Sequence, residues 1–147
     1  MPVIVIGADT PLGAAVTDTL GGRSSERRAF VTAADAADRL RNAGFKVAIG
    51  DVSDWTHVEG AAMGAFTAVL IAEAAGDGRE TAFADDPDAI VSSWIRAVAA
   101  ADVRRIILIG PTRPSPGDRE WAVVDPAGRP DTEVAAEVAR LDEAARI

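Results

Sequence analysis

Five short, nearly uninterrupted apolar runs constrain the fold of this chain more than anything else in it. They are Val3–Ile6 (VIVI), Arg28–Thr32 (RAFVT), Val47–Ile49 (VAI), Thr67–Ala72 (TAVLIA) and Arg105–Ile109 (RIILI). A strand with one face in water alternates apolar and polar residues, whereas a run that is apolar throughout must be covered on both faces. Helix-forming segments lie between the runs. Thr10-Pro11 is an N-cap followed by proline at the first helical position, which predicts a helix to about Leu20, ended by Gly21-Gly22. A second helix is expected over Ala33–Asn42, closed by Gly44, and a third over Trp55–Ala65, capped by Asp54. Asp86-Pro87 opens a fourth, whose stripe is Ile90, Val91, Trp94, Ile95 and Val98. Strands alternating with helices specify a three-layer α/β fold. The sheet is expected to be parallel and doubly wound, in the order 3-2-1-4-5, with the first strand central.

At 147 residues the chain is expected to form a single domain over 1–147, with its core at 2–110. The remainder, 111–147, reads as a proline-rich arm and a terminal helix. Gly110–Asp131 holds five of the eight prolines and is interrupted by WAVV at Trp121–Val124, which has the character of one further strand. Thr132–Ile147 is amphipathic, with Val134, Val138, Leu141 and Ala145 on one stripe. That stripe needs a surface: either a second copy, giving a homodimer, or a face of the chain's own sheet.

Composition removes several chemistries. There is no cysteine, which excludes disulfides and thiolate catalysis, and one histidine, His57, which excludes multi-histidine metal sites. A net charge of −8 disfavours binding to nucleic-acid phosphates. The longest uncharged stretch, Gly60–Ala72, has 13 residues and is too short to span a bilayer, and the amino terminus lacks the features of a targeting segment. A soluble cytoplasmic protein is expected. The acids Glu80, Asp85, Asp86 and Asp88 read as either a hard-cation cluster or favourable charge at a helix start; the second is preferred, and no metal site is assigned. Trp55, Trp94 and Trp121 read as packing residues, and Ser92-Ser93 has no base placed to activate it.

The stretch richest in chemistry is Gly7-Ala8-Asp9-Thr10-Pro11-Leu12-Gly13, between the first strand and its helix. Such a turn aims backbone N–H groups and the helix dipole at a pyrophosphate. It resembles the G-x-x-G-x-x-G turn of the short-chain dehydrogenase/reductase superfamily, especially its atypical, NmrA-like branch. Gly50-Asp51-Val52-Ser53-Asp54 matches a second motif of that branch, in which the acid contacts the adenine. The resemblance covers about Pro2 to Gly110 and implies a Rossmann-like fold that binds NAD or NADP. It places Gly7, Asp9, Thr10, Leu12, Gly13, Thr32, Asp51, Val52 and Ala72 at the cofactor.

The departures from that pattern shape the expected function. Thr10 replaces the middle glycine and crowds the pyrophosphate, and Pro11 has no N–H, leaving the amides of Leu12 and Gly13 as donors. Thr32 and Ala33 stand where the family carries an acid for the ribose diol or an arginine for the 2′-phosphate. Binding is therefore expected to be weak and to discriminate poorly between NAD and NADP. The family's catalytic tyrosine is absent, since the chain has none, and its only lysine, Lys46, starts the third strand. The chain also stops soon after the fifth strand, so a shortened member is implied. A dinucleotide sensor or a tyrosine-independent oxidoreductase fits these residues. So does a degenerate module that binds no cofactor and serves as an interaction or regulatory subunit, and so, less well, does a carboxylate-based enzyme using Asp9, Asp51 or Glu73. The loop after the fourth strand, Glu73–Gly78, reads as either a ligand cover or a flexible connection.

Overall fold

A computed structural model describes residues 1–147. Its centre is a parallel sheet of six strands in the order β3-β2-β1-β4-β5-β6. The strands are β1 (Val3–Ile6), β2 (Arg27–Val31), β3 (Lys46–Ile49), β4 (Thr67–Ile71), β5 (Arg105–Ile109) and β6 (Glu120–Val124). The helices are α1 (Pro11–Leu20), α2 (Ala34–Asn42), α3 (Trp55–Ala62), α4 (Glu73–Gly76), α5 (Pro87–Ala100) and α6 (Asp131–Glu143). No helix is long and apolar enough to cross a membrane.

Period-two alternation divides the core between the two faces. Val3 and Val5 point to the layer of α1, α2 and α6, where they join Leu12, Val16, Leu20, Leu40, Val134 and Val138. Ile4 and Ile6 point the other way, to Val58, Ile90, Trp94 and Val98 of α3 and α5. Every residue of β1, β4 and β5 is buried, as their unbroken apolar runs require.

Two elements extend the expected five-strand order: the further strand that WAVV suggested, and a short helix. The WAVV segment becomes β6, which pairs in parallel with β5 from Arg105↔Glu120 to Ile109↔Val124. It supplies hydrogen-bond partners that β5, wholly buried, would lack as an edge strand. The start of the loop after β4 is instead the short helix α4, whose Ala74 and Ala75 are buried. The amphipathic stripe of the last helix is covered within the chain: Val134, Ala135 and Val138 are buried, and α6 lies against α1. The helix stops at Glu143, earlier than its stripe suggested, and Ala145 is exposed.

That end is fixed by arginines. Arg105, fully buried at the start of β5, donates to the carbonyls of Leu141 (2.8 Å) and Asp142 (2.7 Å), and to Glu120 Oε1 (3.0 Å). Arg23, just beyond α1, pairs with the Asp142 carboxylate and donates to Ala139 O at 2.8 Å. Cations belong at this negative end of a helix.

Candidate functional site

Backbone demands at the end of β1 account for both glycines of the first turn. Gly7 has φ +85°, and a Cβ there would lie 2.7 Å from Ala74 Cβ. A Cβ on Gly13 would lie 2.5 Å from Gly7 O, so only glycine lets α1 sit this close to the turn. Thr10 caps α1. Its Oγ1 accepts from Gly13 N (2.9 Å) and donates to Gly7 O (3.0 Å), and the residue is almost entirely buried. Its side chain is thus folded into the turn, and its cost to the site is a consumed amide. The expected donor pair is corrected accordingly. Gly13 N–H is occupied, Pro11 has none, and the unpartnered amides are those of Asp9 and Leu12.

On the β2–β3 side of the turn, Asp9 reaches across to the tip of β2. Its Oδ2 accepts from Thr32 N (2.8 Å) and Ala33 N (3.1 Å), and its Oδ1 from Arg79 Nη1 (2.7 Å). Arg79 is also clasped by Asp77, with Nε to Oδ1 at 2.8 Å and Nη2 to Oδ2 at 2.6 Å. Beyond β3, Asp51 Oδ1 accepts from the amide and hydroxyl of Ser53 at 2.8 and 2.6 Å. Its Oδ2 accepts from Ala82 N at 2.7 Å, and Ser53 Oγ accepts from Phe83 N at 3.0 Å. Residues 77–83 therefore form a strap tied to the ends of both strands. Burial alone would raise the pKa of Asp9 and of Asp51. For Asp9 the Arg79 hydrogen bond and two amides outweigh it, and for Asp51 the Ser53 and Ala82 bonds do, so both are held below the ordinary carboxylate range. Val52 is buried, and its carbonyl accepts from Trp94 Nε1 at 2.6 Å, which pins this loop to α5.

On the other side of the turn, above the ends of β4 and β5, lies a cavity of about 540 Å³. Leu12, Ala72, Val91 and Ile109 give it apolar walls, with Glu73 and Arg113 among its polar groups. Arg113 of the proline-rich arm donates to Ser92 Oγ (2.9 Å) and Asp88 Oδ1 (3.0 Å) on α5, so the arm forms part of the wall. No three histidine or acidic side chains come together as a metal site. Asp86 caps α5, accepting from Asp88 N at 3.3 Å, and His57 packs edge-on against Phe30 with ring centres 5.0 Å apart.

A family model described as NAD(P)H-binding matches residues 7–139, which takes in the turn, the strap and most of α6. The chain belongs to this NAD(P)H-binding family. Its domain is of the Rossmann type, and its structural neighbours include short-chain reductases. The anaerobillin reductase ChuY of Escherichia coli O157:H7 is 16% identical, with a TM-score of 0.75 over 99% of this chain and 92% of its own. The NADPH-dependent quinone oxidoreductase of Escherichia coli, solved with NADPH, is 23% identical with a TM-score of 0.60; the match covers 74% of this chain and 36% of the oxidoreductase. The triphenylmethane reductase of Citrobacter sp., solved with NADP(H), is 24% identical with the same TM-score, over 75% of this chain and 37% of its own. At these identities the likeness concerns the fold. No curated protein matches the sequence significantly.

Within this member of the family, the residues singled out from sequence fall at the carboxyl ends of the strands, and Leu12 and Ala72 among them line the cavity. Gly7, Asp9, Thr10, Leu12 and Gly13 form the turn; Thr32, Asp51 and Val52 flank it on one side, and Ala72 on the other. Sequence reading missed Arg79, Ser53 and Arg113. Only Ser53, inside the Gly50–Asp54 motif, carried a local signal.

Proposed function

We propose that this chain binds a nicotinamide dinucleotide across the crevice and reduces conjugated organic acceptors without a tyrosine. The observation that carries the reading is the continuity between turn and cavity. The two glycine positions with no room for a Cβ bring the backbone to the site, and Leu12 offers a free amide while its residue lines the cavity. Strand order reverses between β1 and β4, the place where open α/β sheets take their ligands. The residues fit the group. Leu12 and Asp9 amides would meet the pyrophosphate, Thr32, Asp51 and Val52 the adenosine end, and Ala72 the entrance to the cavity, which would take the nicotinamide and an acceptor.

When bound, the cofactor supplies hydride. The chain's part is to exclude water with apolar walls and to hold the acceptor against the ring. With no phenol and no lysine near β5, the acceptor must carry the incoming electron pair without an acid from the usual pair. Extended conjugation does that, because the charge is delocalised until solvent supplies a proton. The quinone and triphenylmethane substrates in the neighbours' names are of this kind.

A second reading, a module that binds no cofactor, is favoured by one observation: the strap already occupies Asp9, Thr32 and Asp51. Dinucleotide must displace it, which supports weak binding. Titration with NADH and NADPH, followed by tryptophan fluorescence, decides between the readings. Saturable binding, and NADH consumption with a quinone acceptor, are expected. Absence of binding by either dinucleotide, in the wild type and in an Arg79→Ala variant with the strap unlatched, would leave the second reading standing.

A further inference from the structure

We propose that Asp9 is the residue that reads the adenosine ribose, making this chain selective for NADH over NADPH. The inference rests on the dinucleotide reading above and adds the cofactor's identity to it.

The tip of β2 carries neither an acid nor an arginine of its own, only Thr32 and Ala33. The structure supplies the missing acid from another element. Asp9, on the turn after β1, lays its carboxylate on the amides of Thr32 and Ala33, with its side chain only 5% exposed. The carboxylate is thus fixed at the strand tip, though 23 and 24 residues separate the partners in sequence. A diol is a hydrogen-bond donor that a carboxylate accepts well; a phosphate is an anion that it repels.

The oxygen that would do the reading is Oδ1. Its protein partner is Arg79, on the strap. The Oδ2 atom already holds two amides, so the carboxylate need not move when Arg79 leaves. A ribose hydroxyl then donates to Oδ1 in place of the guanidinium. Arg79 does not depart as a free cation, because Asp77, two residues away on the same strap, clasps it through two nitrogens. Arg79 and Asp77 leave as a neutral pair, and the acid at the strand tip keeps its charge.

The surrounding charges point the same way. Asp9 and Asp77 face one guanidinium here. The arginines nearest in sequence, Arg27 and Arg28, are at the opposite end of β2, engaged with Gly21 O and with Glu26, Ala61 and Met63. A 2′-phosphate would meet the uncompensated Asp9 carboxylate.

The test is calorimetric titration of NADH and NADPH into the wild type, Arg79→Ala and Asp9→Asn, each checked for folding by circular dichroism. NADH is expected to bind at least tenfold more tightly than NADPH to the wild type. Arg79→Ala should tighten NADH several-fold, because its competitor for Oδ1 is gone, and should not favour NADPH. Asp9→Asn, which keeps a carbonyl for the two amides, should bring the ratio close to one. Selective loss of NADPH binding in Arg79→Ala would overturn the inference by making Arg79 a phosphate ligand, as would equal wild-type affinities. Should Asp9→Asn fail to fold, the Arg79→Ala comparison still decides. No binding of either dinucleotide to wild type or folded Arg79→Ala would overturn the dinucleotide reading itself, and the selector with it.

Discussion

In a Thr10→Gly variant, the hydroxyl that closes the first turn of α1 is removed, and stability and affinity should move in opposite directions. Thr10 Oγ1 makes two buried hydrogen bonds, to Gly13 N and Gly7 O. Replacing an N-cap by glycine costs from a few tenths of a kcal/mol to about 2; because both bonds of Thr10 are buried, about 1 kcal/mol is expected. For a chain of this length that lowers the melting temperature by about 2–4 °C. The same change frees Gly13 N–H, which joins Asp9 and Leu12 as a donor facing the crevice. A hydrogen bond to an ionised group is worth about 1.5–3 kcal/mol. Part of this is offset by the flexibility that glycine adds to the turn, so a gain of about tenfold in dinucleotide affinity is expected, equivalent to about 1.4 kcal/mol.

These magnitudes predict a crossing that one assay can see. Thermal scans without ligand should show the variant melting below the wild type. With NADH far above both dissociation constants, the tighter complex adds about 1.4 kcal/mol, which exceeds the lost cap. The order should then be level or reversed. Thr10→Ser, which keeps the hydroxyl, should shift neither curve appreciably. Parallel curves, with the variant equally below the wild type at every NADH concentration, would refute the reasoning, because the Gly13 amide would then not be limiting.

Three further outcomes are expected. Gly13→Val should abolish dinucleotide binding and cost about 1–3 kcal/mol in urea denaturation, since even its Cβ would sit 2.5 Å from Gly7 O and 2.6 Å from Ala8 O; full binding would contradict the close approach of α1. Arg105→Met should cost about 2–4 kcal/mol, less than a fully buried pair because Glu120 is 25% exposed, and a loss under about 1 kcal/mol would show that α6 needs no such anchor. The lowered pKa values of Asp9 and Asp51 mean that their stabilisation is complete above the ordinary carboxylate range and is lost as pH falls below that range, through the depressed values of the folded state. The backbone amide NMR shifts of Thr32 and Ala33, reporting Asp9, and of Ala82, reporting Asp51, should therefore titrate only below about pH 4, and a midpoint near neutrality for either group would contradict the strap's ties.

The sheet was legible because a strand covered on both faces leaves an unbroken apolar run, as VIVI, TAVLIA and RIILI do. β6 was harder to read. As an edge strand it is only half-buried, and WAVV stands among prolines that argue for an arm. The helix α4 was unreadable because Glu-Ala-Ala-Gly is one turn with no side-chain cap, held by the packing of Ala74 and Ala75. In the crevice, Gly7 and Gly13 announce themselves by spacing, since the backbone conformation and the approach of α1 need them locally. Asp9 could be placed on the turn, but not its grip on β2, which depends on how far apart the sheet sets the two strands. Arg79 lies 70 residues from Asp9, in a segment with no periodicity, and only the folded strap brings them together.

The docking of α6 on α1 has a consequence for the order of assembly. Arg23 and Asp142 are 119 residues apart. At about 5–20 residues per second, a ribosome takes roughly 6–24 s to make the second after the first. Throughout that time the apolar side of α1 lacks the helix, α6, that it lies against in the folded chain. Closing so long a loop adds little to the entropic cost, about 0.6 kcal/mol per doubling of length, so the delay burdens kinetics rather than equilibrium. The helix that follows the Gly7–Gly13 turn is thus made well before the helix that covers it, and it is where a nascent chain would need shielding from aggregation.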